Sequence, residues 1–177
     1  MNTMSNKTIK DFPEAIVELN VSKTIPGEIG LFAVRDLKIG QIVGEASMMD
    51  ESVFISWNEY PLLDEGTRRV VDRFCLGNND GFFAPKNINY LSIPWYINHS
   101  CSGNVGFDEK GNFVVIKEVK AGDELFYDYG LAEANSKFSM VCKCGSANCR
   151  KIITGDDHKD EAFYSANRDY IMPELRK

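Results

Sequence analysis

Three thiols within eight residues, Cys142, Cys144 and Cys149 in the spacing C-x-C-x4-C, restrict this 177-residue chain more than any other feature. A C-x-C disulfide would close a small strained ring. Three thiolates can instead fold around one tetrahedral Zn²⁺, with Zn–S bonds of about 2.3 Å. Gly145 allows the tight turn such a knuckle needs. The fourth ligand has to come from elsewhere, and Cys101 is the best candidate. Four thiolates leave no open coordination position, so the expected site is structural and holds the tail against the rest of the chain. The competing reading is plain free thiols with no metal. Cys75, alone on an apolar helical face, is expected to be an inert core thiol.

Ahead of the cysteines the sequence is written in short strands. Ile16–Val21 is apolar and β-branched and runs into the Pro26-Gly27 turn. Gly30–Arg35 and Gln41–Ala46 read as the next two strands. Val70, Val71, Phe74 and Cys75 share one helical face that Asp64 is placed to cap, which predicts a short helix. Asn78–Pro94 reads as loop with short strands. Val105–Phe107 and Phe113–Lys117 flank Asp108-Glu109-Lys110-Gly111 as a hairpin, and Ala121-Gly122 turns into a strand over Glu124–Tyr129. Phe163, Ala166, Tyr170 and Ile171 form a last helical stripe with Pro173 as its stop. The fold class is therefore mostly β, with few helices.

With 20 Lys+Arg against 26 Asp+Glu, the formal net charge is −6. That excludes a protein built chiefly to neutralise nucleic-acid phosphates and favours a basic partner such as a Lys/Arg-rich peptide. The apolar runs are only a few residues long, against the roughly 20 a membrane span needs, and no signal-peptide stretch opens the sequence. The expectation is a soluble intracellular protein of nucleus or cytoplasm, with export as an effector left open, and with no direct nucleic-acid or membrane partner.

Tyr96-Ile97-Asn98-His99-Ser100-Cys101-Ser102-Gly103-Asn104, followed by Gly122-Asp123-Glu124-Leu125-Phe126-Tyr127-Asp128-Tyr129-Gly130, resembles the paired N-H-S-C-x-P-N and G-E-E-L-x-Y-D-Y motifs of the SET-domain protein lysine methyltransferases. Pro26–Leu37 resembles the family's first motif, G-x-G-L-F-A-x-R-D, and the cysteine run resembles its post-SET segment. No pre-SET-like cysteine cluster precedes them. The resemblance implies a SET fold of small sheets with a pseudoknot. It divides the chain into an N-terminal lead (1–14), a SET domain (15–131), a zinc-bound post-SET segment (138–155, with Cys101, Cys142, Cys144 and Cys149 as ligands) and a C-terminal helical tail (156–177). The tail is expected to pack over the zinc segment and wall a peptide groove.

The implied activity is methyl transfer from S-adenosylmethionine to a protein lysine, which needs a neutral amine although free lysine has a pKa near about 10.4. Phe126, Tyr127 and Tyr129 offer an aromatic, hydroxyl-bearing channel of the kind that lowers that pKa and orients the lone pair. By resemblance, Tyr129 is the catalytic tyrosine, and Tyr127 holds the Phe/Tyr switch position where Tyr favours monomethylation. Ile29, Gly30, Asn98 and His99 are carried over as cofactor-binding residues, largely through backbone groups. For His99 the competing reading is a satisfied core histidine. The chain departs from the family where Glu28 stands at its leading Gly, where Glu45–Met49 lacks the Tyr (Ala46 here) and the Gly of E-Y-x-G-E, and where Gly103 stands at its Pro. The alternative function is a weak or inactive SET-like protein that binds a protein partner. Hydrolase chemistry at His99-Ser100-Cys101 is discounted, because neighbours on a strand face opposite ways. Asp123, Glu124 and Asp128 are expected to be solvated. Histone tails suit the implied substrate, as do ribosomal and other basic proteins.

Overall fold

The computed structural model describes residues 13–46 and 52–177. Most of the expected N-terminal lead, and Ser47–Met49, lie outside the described residues. The strands are β1 (Val17–Val21), β2 (Ile29–Ala33), β3 (Ile42–Gly44), β4 (Ser52–Ser56), β5 (Leu76–Gly77), β6 (Gly81–Pro85), β7 (Asn98–His99), β8 (Val105–Phe107), β9 (Phe113–Val115), β10 (Glu124–Tyr127), β11 (Ser139–Val141) and β12 (Ile152–Thr154). The helices are α1 (Glu65–Phe74) and α2 (Glu161–Asn167). One sheet runs β1-β2-β10-β8-β9-β3 with β7 also paired to β10, a second runs β4-β6-β5, and β11 and β12 form a hairpin. No described helix is long and apolar enough to cross a membrane.

Local signals explain the short elements. Gly111 and Gly145 adopt φ of +79° and +67°, the left-handed conformation that the hairpin turn and the cysteine knuckle require. The N–H of Thr67 donates to the Asp64 side chain at 3.1 Å, capping α1 as expected. Val71 on its inner face and Cys75 just past its end are buried beside Ala84 and the half-buried Trp95. Burial pushes the Cys75 thiol up to about 12, which leaves it inert as a nucleophile.

The placement of β10 is a long-range matter. It lies antiparallel to β2, with Leu125 opposite Leu31, and parallel to both β7 and β8, with Tyr127 opposite His99 and Val105. The loop from Ser100 to Asn104 therefore straddles it, the N–H of Ser100 donating to Tyr127 O and that of Asn104 to Phe126 O. A Cβ on Gly103 would come within 2.9 Å of Phe126 O and Tyr127 Cα, and the Gly103 N–H donates to Ser100 O. Gly103→Pro, which restores the family residue, is therefore expected to destabilise by about 1–3 kcal/mol, measured as a lower denaturant midpoint.

The main core gathers Leu31, Phe107, Val115, Leu125, Tyr127, Leu131 and Ile171, with Phe163, Tyr164 and Met172 packed against it. The tail thus docks mainly on the central sheet. Its helix ends at Asn167, before Tyr170 and Ile171, so the stripe read from the sequence is split between a helix and the turn segment that follows it. That segment is fixed by Phe107 N donating to Tyr170 O at 3.0 Å and Met172 N to Leu131 O at 2.8 Å. Ala166 is exposed while Ile171 is fully buried.

Candidate active site

β10 delivers Tyr127 into the core, where its ring meets Phe107 and Phe113 edge-on at 5.7 and 5.8 Å. The strand stops there, two residues short of the sequence expectation, because Asp128 Oδ1 accepts from the N–H of Gly130 at 3.0 Å. That cap starts a 3-10 turn over Tyr129–Leu131. Tyr129 therefore sits on a turn, its ring 4.8 Å from that of Tyr127 and 5.2 Å from His99. Its N–H donates to His99 Nδ1 at 3.1 Å and its hydroxyl reaches Ile97 O at 3.4 Å. Burial holds both phenols above their ordinary range, so both remain neutral.

His99 is buried, and both ring nitrogens are engaged. With Nδ1 accepting from Tyr129, the proton belongs on Nε2, which faces Cys101 Sγ at 3.5 Å. Burial pushes the ring down to about 4, against the pull of Asp128. His99 is thus a satisfied core histidine that also borders the site.

Two cavities meet at Tyr129. The narrower, about 70 Å³, is walled by Ile97, Tyr127, Tyr129, Phe113, Trp95 and Phe138, with Glu133 and the end of α1. The wider, about 310 Å³, is bordered by Asn98, His99, Tyr129, Ile25, Glu28, Arg73 and the cysteine-segment residues Met140, Val141 and Lys143. Asp72, Arg73, Tyr129 and Phe138 belong to both. The first motif reaches the wider cavity through Glu28, beside Ile25 just ahead of it. Ile29 and Gly30 stand behind, with Asn98 Nδ2 donating to Ile29 O at 3.0 Å and to Glu124 Oε1 at 3.3 Å. Glu28 forms an ion pair with Arg73 of α1, so the departure from the family's Gly ties the first-motif loop to that helix.

The thiol sulfurs of Cys101, Cys142, Cys144 and Cys149 all lie within 4.8 Å of one another. Cys101 and Cys142 are 3.8 Å apart, and a tetrahedron with 2.3 Å bonds to zinc has an edge of about 3.8 Å. The cluster, built from two remote segments, is consistent with a post-SET zinc site. Free thiols so placed would need a reason to share one small volume, and a metal ion supplies it.

Of the three carboxylates expected in solvent, only Asp123 is exposed. Glu124 and Asp128 are buried, at 8% and 7% exposure. Glu124 accepts from Lys23 N as well as Asn98, and Asp128 takes a two-pronged contact from Arg150. Their partners are remote in sequence, which is why motif spacing did not disclose them. Sequence reading also passed over Phe138, Arg73 and Glu133. None sits in a recognisable pattern, and Arg150 next to Cys149 was passed over as well.

The SET domain family matches residues 28–130, more than half of the chain. The chain is 34% identical over 112 residues to the histone-lysine N-methyltransferase EZH2 of Chaetomium thermophilum, covering 57% of this chain and 7% of that protein. It is 31% identical over 164 residues to the histone-lysine N-methyltransferase ASHH2 of Arabidopsis thaliana, covering 82% and 8%. It thus spans well under two thirds of these relatives. The polycomb repressive complex 2 of Chaetomium thermophilum superposes with a TM-score of 0.47 at 27% identity, over 68% of this chain and 16% of the matched one. The matched span holds both tyrosines, Asn98, His99 and Cys101, and the chain belongs to the SET domain family.

Proposed function

We propose that this chain is an S-adenosylmethionine-dependent protein-lysine N-methyltransferase, mainly monomethylating, acting on a lysine in a basic peptide such as a histone tail. The observation that carries this reading is the meeting of a narrow, partly aromatic cavity and a wider cleft of mixed polar and apolar lining at one neutral tyrosine, Tyr129. The wider cleft suits a zwitterionic, amphipathic cofactor: Arg73 and Lys143 can face a carboxylate, Glu28 an ammonium, and Ile25 and Val141 the apolar parts. S-adenosylmethionine, when bound, supplies the methyl group on a sulfonium.

The chain's own residues do the rest. Tyr127, Tyr129, Phe113 and Trp95 exclude water from the substrate amine, which favours its neutral, nucleophilic form. The Tyr129 hydroxyl and the Ile97 carbonyl beside it orient the amine's lone pair along the channel. The Tyr127 hydroxyl limits the turnover of an already methylated amine. Cys101, Cys142, Cys144 and Cys149 hold one structural Zn²⁺, and Phe138 to Lys143 then wall the cleft. The division into SET domain, post-SET segment and tail belongs to the same reading.

The test is transfer of labelled methyl from S-adenosylmethionine to core histones and to a cell lysate, with the product's methylation state read by mass spectrometry. Monomethyl-lysine is expected to dominate, and Tyr127→Phe is expected to raise the di- and trimethyl share. Trimethyl product from the unaltered chain would overturn the monomethylation reading. No transfer by folded, zinc-loaded protein would favour a partner-binding role.

A further inference from the structure

The cysteine cluster and the two tyrosines are joined by a side chain that neither motif contains. Arg150 follows Cys149, and its backbone N–H donates to Cys101 Sγ at 3.4 Å. Its guanidinium forks onto Asp128, Nη1 to Oδ2 and Nη2 to Oδ1, at 2.6 Å each. Nε and Nη2 also donate to Asp157 Oδ2 at 3.1 and 2.9 Å, and the group lies 4.9 Å from the Phe163 ring centroid. One planar cation thus ties together the cysteine segment, the tail and the residue immediately before Tyr129.

The chemistry of that tie is demanding. Asp128 is 7% exposed, and a buried carboxylate is tolerated only with a close, well-formed counter-charge. Removing the fork leaves it the Gly130 N–H and a contact of 3.8 Å to His99 Nδ1. The same Oδ1 caps the 3-10 turn that begins at Tyr129, so any rotation of Asp128 is passed directly to the turn. A lysine would keep the positive charge but not the two parallel bonds.

We infer that Arg150 is a positioning residue for methyl transfer, fixing Asp128 and thereby the aim of the Tyr129 phenol, so that closure of the cysteine segment and alignment of the channel are one event. This rests on the reading of Tyr129 as the catalytic tyrosine. It separates two tasks: binding of cofactor and peptide by cleft and groove, and alignment by Arg150. Misplacement of a reacting group by about 1 Å is enough to cost two orders of magnitude in rate.

The experiment compares the unaltered chain, Arg150→Lys and Tyr129→Phe for kcat, the KM of S-adenosylmethionine and of peptide, zinc content and melting temperature. Arg150→Lys is expected to lower kcat about tenfold or more, with both KM values within about twofold and one zinc retained. In ¹³C-tyrosine-labelled, ligand-free protein, the Tyr129 ring resonances should move. If Arg150→Lys melts early, Arg150→Ala assayed with added guanidinium takes its place, and recovery of kcat is expected. An unchanged kcat, a loss confined to KM or zinc content, or no recovery with guanidinium would overturn the inference. A fully active Tyr129→Phe would instead overturn the reading of Tyr129.

Discussion

Tyr129→Phe is expected to lower methyl transfer about 10²-fold or more while leaving the fold intact. The variant removes one oxygen and keeps the ring, so the packing against Tyr127 at 4.8 Å and His99 at 5.2 Å survives. The backbone bond from Tyr129 N–H to His99 Nδ1 does not involve the side chain at all. The hydroxyl's own contact with Ile97 O is long, at 3.4 Å, so its loss is worth less than about 1 kcal/mol of stability. In the reaction the same oxygen has a larger role, because it is a preplaced polar group in a water-poor channel, where removing one such group typically costs about 10²–10³ in rate. Transfer assays beside thermal melts check the expectation. Retained activity would remove Tyr129 from the mechanism, whereas a large fall in melting temperature would assign it to the core.

Stripping the metal is expected to unfold the cysteine segment and abolish transfer while the central sheet stays folded. Beside the Arg150 bonds to Asp128 and Asp157, apolar packing contributes little to holding the segment. Its packing cluster contains a single fully buried apolar side chain, Ile153, and Val141 and Ile152 of its hairpin are 71% and 55% exposed. Burying one such side chain contributes about 1.5–3 kcal/mol, against roughly 10 kcal/mol or more for zinc in small cysteine sites. Phe138, Met140, Val141 and Lys143 border the wider cavity, so the wall of the cleft goes with the segment. Chelation of protein carrying close to one equivalent of zinc should therefore expose residues 138–155 to hydrogen exchange and end activity, while Leu31, Phe107 and Leu125 stay protected. Cys144→Ser should act in the same direction. A metal-free chain with a protected segment would refute the zinc reading.

What could be read from the sequence was local. Asp64 caps α1 three residues ahead of its partner Thr67, Gly111 turns a hairpin it sits inside, and Gly145 turns the knuckle between two of its own cysteines. Cys101 was legible as the best candidate for the fourth thiol, and the motif resemblance pointed to the same residue. The parts that escaped depend on partners brought from far along the chain. Glu124 looks like a turn residue until Lys23 and Asn98 are placed beside it. The pairing of β4 with β6 is a matter of register across a helix, which no periodicity encodes. Tyr129 reads as the end of a strand, yet the Asp128 side chain captures the following N–H and bends the chain there. Local propensity proposes a strand, and a side-chain cap one residue earlier decides otherwise.

The burial of Ile171 in the central core has a consequence for how such a chain is made. Synthesis runs from the N-terminus, so Leu31 on β2 waits for Leu125 on β10, and both wait for Ile171. Until β10 leaves the ribosome the nascent chain carries β2 without its inner neighbour, and until Ile171 follows, an apolar face lacks its cover. A fold completed by its most distant contacts has high contact order, and such chains fold slowly and expose strand edges meanwhile. Ile171 is thus a late contributor to folding as well as a packing element.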